Sequence, residues 1–551
     1  MIMKRMKIVA GVLITAGAIW AFQVPGEKYF DIAKSLDIFA TLFKEVNAHY
    51  VDEVNPKKLI ETGINGMLDQ LDPYTDYIPE EDLEAFSIQT TGQYAGVGAL
   101  IGIVNKKTVV TNPYVGFPAE RAGIRVGDEL ISVDGKNVQG NSTFEVSSLL
   151  KGKPKTEVVM EVKRSGQKET LKFKLTREKI KISNITFQGM INPEVGYIKL
   201  DEFTPGAGKE VEDAVTDLKK KGARQLILDL RDNPGGSLYE AVNIVNLFIP
   251  KGKEVVSTRG KVPEWNKVYT TLNNPVDTEI PLAILISGNS ASASEIVAGS
   301  LQDYDRAVLV GQKTFGKGLV QTTRQLAYNA QLKVTTAKYY IPSGRCIQAL
   351  DYEHRQSDGS VQKFPDSLKR EFKTKGGRKV YDGAGLDPDV VVEGATYSSA
   401  VVELVGSGLV FDYATKYCGE HGDVPASMKN FRLTDGEYQK FVSWVKDQKF
   451  TFSTELDSKA EELIASAKRE RYYDELQSQL KELKTKIEQS KSSALQRNKA
   501  ELSRILEEEI AFHYRLTKGQ MEVSLDRDPE LLRATETLAN QAGYKKILSA
   551  N

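Results

Sequence analysis

Between Gln225 and Val310 short apolar runs alternate with helix-compatible stretches, and this alternation constrains the fold more than any other feature. Gln225–Leu230, Leu282–Ile286 and Ala307–Val310 read as strands, and Leu238–Phe248 and Ser294–Gln302 as helices. Strand–helix–strand order predicts a parallel or mixed sheet with helices packed on it.

The flanking segments have other periods. From Lys28 to about Phe86, Ile32, Leu36, Phe39, Leu42, Phe43 and Val46 recur at helical spacing, with breaks at Asn55-Pro56 and around Asp72-Pro73. Gly92 to Arg177 carries short β-prone runs at Val109-Val110, Glu129–Val133, Glu157–Val162 and Thr170–Leu175, several bounded by glycine turns. Beyond about Ala395, Leu476, Leu480, Leu483 and Ile487 form one apolar stripe and Leu502, Ile505, Leu506 and Ile510 another. Dense Glu and Lys around them mark solvated helix faces. A chain of 551 residues is too long for one core. The expected parse is residues 1–25 as a leader, 26–88 helical, 89–178 β-rich, 179–395 an α/β core and 396–551 a helical extension.

Charge and rare residues exclude several functions. Lys+Arg and Asp+Glu both number 74, so no net charge draws the chain to nucleic acid. Cys346 and Cys418 have no metal-type spacing; a disulfide and two separate buried thiols are both open. None of His49, His354, His421 and His513 belongs to an HExxH pattern, so no metal is expected. Lys4, Arg5 and Lys7 precede an apolar run, Ile8–Phe22, that reads as an export signal or an uncleaved anchor. The expected location is therefore extracytoplasmic or periplasmic, soluble or held by that segment.

Two groups of motifs carry chemistry. Tyr94, Ala95, Gly96, Val97 and Gly98 lead into the apolar strand Ala99–Val104. Glycines there expose successive N–H groups, a nest for a carboxylate such as a peptide C-terminus, although a plain tight turn has the same local pattern. Pro118–Ile124, Val126–Ile131 and Val133–Gly135 follow, a run that resembles the PAxxAG…GDxIxxxdG signature of PDZ domains. Leu130-Ile131 is a small apolar departure from it. The resemblance implies peptide capture at a sheet edge.

The second group begins with Ser287–Ile296, a small-residue strand-to-helix turn that presents Ser292 where backbone N–H groups favour negative charge. Taken alone, it is equally a Ser/Ala-rich helix cap. Gly311–Gln321 sets Lys317 between two glycines, without the frame of a phosphate-binding P-loop. A lysine serves as a base only when neutral, which an apolar setting promotes.

SASASEI at 290–296 and TFGKGLVQ at 314–321, with Lys317 25 positions after Ser292, resemble the carboxy-terminal processing (tail-specific) protease family. So do Gly196–Ile198 with Phe203, Leu228–Gly236, Tyr340–Arg345 and Gly385–Asp389, in the family's order over about residues 30–395. The resemblance implies a serine endopeptidase with Ser292 as nucleophile, Lys317 as general base and Gln321 orienting the lysine. It implies an oxyanion hole from the Ala293 N–H together with one from Gly235 or Gly236. No cofactor is expected, and the partners are proteins or peptides with accessible C-termini; a homo-oligomer stays open. The competing class is a PDZ scaffold without activity, which has no use for Ser292, Lys317 and Gln321 together.

Overall fold

The computed structural model describes residues 26–356, 359–422 and 424–549; the apolar run Ile8–Phe22 lies outside them. No helix among the described residues is long and apolar enough to cross a membrane. The chain up to Tyr77 forms one unit and Ile78 onwards a second. The first contains helices Gly26–His49 and Pro56–Leu68. Asn55 starts the latter, its side chain accepting the Lys58 N–H at 3.1 Å with Pro56 at the first helical position. Tyr29, Phe30, Leu36 and Leu42 are exposed on the former.

In the second unit, Ala99–Val104, Lys107–Pro113, Glu129–Val133, Glu157–Lys163 and Leu171–Thr176 pair in that order as an antiparallel sheet. The period-2 pattern explains its packing: Val158, Met160 and Val162 turn inward onto Val110, Leu130, Val146 and Leu150. Helix Thr143–Leu150 starts from a reciprocal cap, Ser142 N–H to the Glu145 carboxylate at 2.8 Å and Glu145 N–H to Ser142 Oγ at 3.3 Å.

The core sheet has six strands in sequential order: β1 (Ile185–Met190), β2 (Val195–Leu200), β3 (Gln225–Asp229), β4 (Leu282–Ile286), β5 (Val308–Gly311) and β6 (Val390–Val391). β1 runs antiparallel to β2 and the remainder are parallel. The crossovers carry α1 (Ala207–Lys220), α2 (Leu238–Asn246) and α3 (Ala293–Asp303). Strands added in one direction by crossovers of one hand leave their helices on one face. Accordingly Ile198, Leu228, Ile284 and Leu309 pack against Val211, Val215, Ile244, Val297 and Leu301.

The other face needs a cover, because a parallel sheet is buried on both sides. That cover comes from the far end of the chain, α6 (Pro529–Ala539) and α7 (Gln541–Ile547). Leu531, Ala534, Leu538 and Tyr544 bury the alternate residues Val195, Tyr197, Ile227, Leu285 and Val310. Tyr544 Oη also accepts the Leu282 N–H at 3.0 Å. The preceding helices include α4 (Leu409–His421) and α5 (Lys499–Ser524), the latter kinked by non-helical backbone at Arg515 and Leu516; they share a separate core of Tyr413, Tyr417, Phe441, Leu506 and Ile510. In the Leu476–Ile487 stripe only Leu480 and Ile487 are buried; Leu476 and Leu483 face solvent. Cys346 and Cys418 are both unpaired thiols.

Candidate active site

Three loops leave the same edge of the sheet: Leu230–Gly236 after β3, Ser287–Ser292 after β4 and Gln312–Gly318 after β5. The carboxyl ends of parallel strands are where α/β folds bind ligands. The glycine loop and the serine loop are laced together. Ser290 Oγ donates to Leu230 O at 2.8 Å, and the Asp232 carboxylate accepts from Ser287 Oγ at 3.2 Å and Asn289 Nδ2 at 2.9 Å. Buried Asn233 donates to Leu200 O at 2.7 Å, while its carbonyl accepts the Ala291 N–H and the Ser294 hydroxyl, both at 3.0 Å.

The backbone at Ser292 has φ 55° and ψ −112°, a conformation that costs free energy for any residue with a side chain. It turns the chain sharply from β4 into α3, and the Ser292 carbonyl accepts the Tyr339 hydroxyl at 3.2 Å. Gly235 lies against this turn with φ +98°. A Cβ there would sit 2.7 Å from Ala291 O and 2.8 Å from both Ser292 Cβ and Ala293 N. The Ala293 N–H belongs to the first helical turn, whose amides have no acceptor within the helix. The Gly235 N–H is donated to Asn233 Oδ1 at 2.8 Å, within its own loop.

Lys317 is half-buried between two crowded glycines. At Gly316, φ +86°, a Cβ would meet Ala349 Cβ at 2.5 Å; at Gly318 it would meet Gln348 N at 2.8 Å. Residues without side chains let the loop pack this closely, and the Gln348 Oε1 accepts the Gly318 N–H at 2.8 Å.

Glu295 joins the serine and lysine loops. Its buried carboxylate accepts the N–H groups of Ser292 (2.9 Å), Gly316 (2.8 Å) and Lys317 (2.9 Å) and the Thr314 hydroxyl (2.5 Å). Burial pushes this carboxyl up to about 7, against the opposing pull of those four donors. Sequence reasoning assigned Glu295 no role, although Ser-x-x-Glu spacing at a helix start marks a capping arrangement.

Gln321, four residues beyond Lys317, donates through Nε2 to Thr335 Oγ1 at 3.1 Å across its hairpin. Ser292, Ala293, Gly235, Gly236 and Lys317 belong to the convergent loops; the Gln321 bond leads to the neighbouring strand instead. The PDZ segment differs from a simple loop, because Gln93–Gly96 is a strand paired with Glu178–Lys181. Tyr94, Ala95 and Gly96 lie in this strand, where Ala95 O accepts the Gly152 N–H at 3.2 Å, and only Val97 and Gly98 make the turn. Val97 O and Gly98 O accept the N–H groups of Ala119 and Tyr114, both at 2.9 Å. Burial raises the Tyr94 hydroxyl well above its ordinary pKa, against the pull of the Ala99 and Gly98 amides beside it. Among the described residues one group has metal-ligand spacing, Asp351, Glu353 and His354, largely exposed and outside these loops.

An α/β sheet with a serine, a lysine and glycine amides at one edge, carried beside a PDZ domain, defines a serine-type peptidase. Family models agree along the chain. Peptidase family S41 matches residues 194–354, a PDZ domain 109–164, the activating protease CtpB N-terminal domain 23–82 and a probable PDZ-protease C-terminal helical domain 400–538. The carboxy-terminal-processing protease of Bartonella bacilliformis is 36% identical over 355 residues, covering 64% of this chain and 81% of that one. A probable CtpA-like serine protease of Staphylococcus aureus is 38% identical over 317 residues, covering 57% and 62%. The solved photosystem II D1 C-terminal processing protease aligns at 28% identity and TM-score 0.34, over 64% of this chain and 92% of its own. The chain belongs to the carboxy-terminal-processing proteases of peptidase family S41.

Proposed function

We propose that the chain is an endopeptidase in which Ser292 Oγ is the nucleophile and Lys317 Nζ the general base. One observation carries the reading: the backbone N–H groups of Ser292 and Lys317 donate to the same Glu295 oxygen, at 2.9 Å each. Neutral Lys317 takes the Ser292 hydroxyl proton as Oγ attacks the scissile carbonyl carbon. The oxyanion so formed takes hydrogen bonds from the Ala293 N–H and a glycine-loop amide, that of Gly235 or Gly236. The resulting ammonium gives its proton to the leaving amine as the C–N bond breaks, which leaves an acyl ester on Ser292. Water, deprotonated by the same lysine, then releases the acid and restores the hydroxyl. Gln321, bonded to Thr335 across its hairpin, keeps the lysine-orienting role only as what the family resemblance implies.

In this reading residues 89–178 are the PDZ domain, and of the Tyr94–Gly98 segment the turn at Val97 and Gly98 receives the substrate's C-terminal carboxylate. Residues 179–395 and the two last helices make the protease body, and residues 1–25 direct the protein out of the cytoplasm or tether it there. The test is cleavage of a disordered reporter with an apolar C-terminus. Ser292→Ala and Lys317→Met should both abolish turnover while leaving folding and peptide binding intact; turnover by either folded variant overturns the dyad.

A further inference from the structure

We infer that Asp528 and Glu530, at the start of α6, are positioning residues for the glycine loop and the lysine loop. The inference rests on the proposal that these loops supply the oxyanion donors and the base. Asp528 grips both Nη atoms of Arg231, at 3.0 Å through Oδ1 and 2.7 Å through Oδ2, a two-pronged pairing that fixes direction as well as distance. Glu530 contacts Arg231 Nη1 through one oxygen and accepts Gln312 Nε2 through the other at 2.5 Å.

Arg231 opens the glycine loop after β3 and Gln312 opens the lysine loop after β5. β4, which feeds Ser292, lies between those strands. One helix terminus therefore ties together the two loops that flank the serine, from a point 297 and 299 residues away from Arg231 along the chain.

The clamp is held on both sides. Asp528 also caps α6, its Oδ1 accepting the Leu531 N–H at 3.0 Å, and α6 is anchored by Leu531, Ala534 and Leu538 against the sheet. On the loop side, buried Asp229 pairs with Arg231 at 2.6 Å, and Lys199 Nζ donates to the Arg231 carbonyl at 2.8 Å. Gln312 has a second bond, to Val392 O at 2.9 Å. Loops gain catalytic precision only from what pins them, and a misplacement of about 1 Å lowers turnover by about 10²-fold.

The test is steady-state cleavage by the full chain for wild type, Asp528→Asn, Glu530→Gln and Gln312→Met, alongside thermal melting. The acidic-site variants should lose kcat by about 10²-fold with KM unmoved. A peptide aldehyde, which mimics the tetrahedral intermediate, should lose affinity in step with kcat while the unreactive peptide of the same sequence binds as before. Glu536→Gln, on the same helix, should cleave like wild type. Wild-type kcat in folded Asp528→Asn and Glu530→Gln overturns the inference. Should those two fail to fold, Gln312→Met decides, because it cuts the lysine-loop tie without leaving a buried charge. Reduced kcat there supports the inference and wild-type kcat overturns it. Cleavage retained by Ser292→Ala sinks the site assignment itself; its loss, with wild-type kcat in the tether variants, sinks only the positioning role.

Discussion

Ser292 and Lys317 share one acceptor: each donates its backbone N–H to Glu295 Oε2 at 2.9 Å. Thr314 and Gly316 take the other oxygen. A residue three positions into α3 thus sets where the strained serine turn and the lysine loop lie relative to each other. The capping geometry that starts a helix here also spans two segments of the site.

Replacing Glu295 by glutamine removes this shared acceptor. An amide offers one accepting oxygen and an NH2 group, which must face two of the four donors. Glu295→Gln should lower kcat by about 10²-fold and cost about 1–3 kcal/mol of stability for the buried donors left unpaired. Cleavage assays and chemical denaturation check both; unchanged kcat means the loops are held without the carboxylate.

The same group gives a pH signature. Its folded pKa, about 7, lies above the ordinary value of 4.5, so the fold favours the protonated form. Its contribution to stability is fully present below about 4.5 and is lost as pH rises through about 7. Activity runs the other way, since protonation takes an acceptor from one of four donors. A plot of log kcat/KM from roughly pH 5 to 9 should show an acidic limb near 7 that Glu295→Gln lacks. An identical limb in the variant assigns that titration to another group.

Gly235→Ala tests the contact between glycine loop and serine turn. The added methyl would sit 2.7–2.8 Å from Ala291 O, Ser292 Cβ and Ala293 N, on a backbone with φ +98°. Turnover should fall by about 10²–10³-fold, with about 1–3 kcal/mol of strain read from the melting curve. Wild-type turnover would mean that the turn relaxes without moving the serine.

Leu538→Ala probes the cover on the second face of the sheet. Leu538 is fully buried in the cluster with Ile227 and Leu285, so truncation should cost about 2–5 kcal/mol. Deleting α6 and α7 altogether should yield an insoluble chain, because the bared face is apolar. A soluble, cooperatively melting truncation would show that the sheet does not need them.

In the PDZ segment, Gly98 has φ +74°, and a Cβ would meet Phe117 Cβ at 2.5 Å. Gly98→Ala should weaken binding of a peptide with a free C-terminus and narrow its advantage over the amidated peptide. Fluorescence anisotropy measures both; unchanged discrimination removes the carboxylate nest from this segment.

Much of the architecture is legible from local pattern. Leu282–Ile286 and Glu129–Val133 match the strands read from their apolar runs, and α3 begins one residue before the expected start. Asn55-Pro56 marks a helix start and is one. The strand at Gln93–Gly96 has no local signal, because its partner, Glu178–Lys181, lies some eighty positions further on and short strands owe their existence to such partners.

Most of the elements, the PDZ and protease motifs, and the glycines beside Ser292 and Lys317 are legible in local pattern. These depend on periodicity and backbone freedom, which are properties of a few consecutive residues. Tertiary structure alone decided that Glu295 serves both loops, that Gly235 spends its amide on Asn233, and that α6 and α7 roof the sheet. Sequential strand order puts every crossover helix on one face, so the cover for the other had to come from elsewhere in the chain. The charges that meet Arg231 there, Asp528 and Glu530, look like ordinary surface acids until the fold brings them to it.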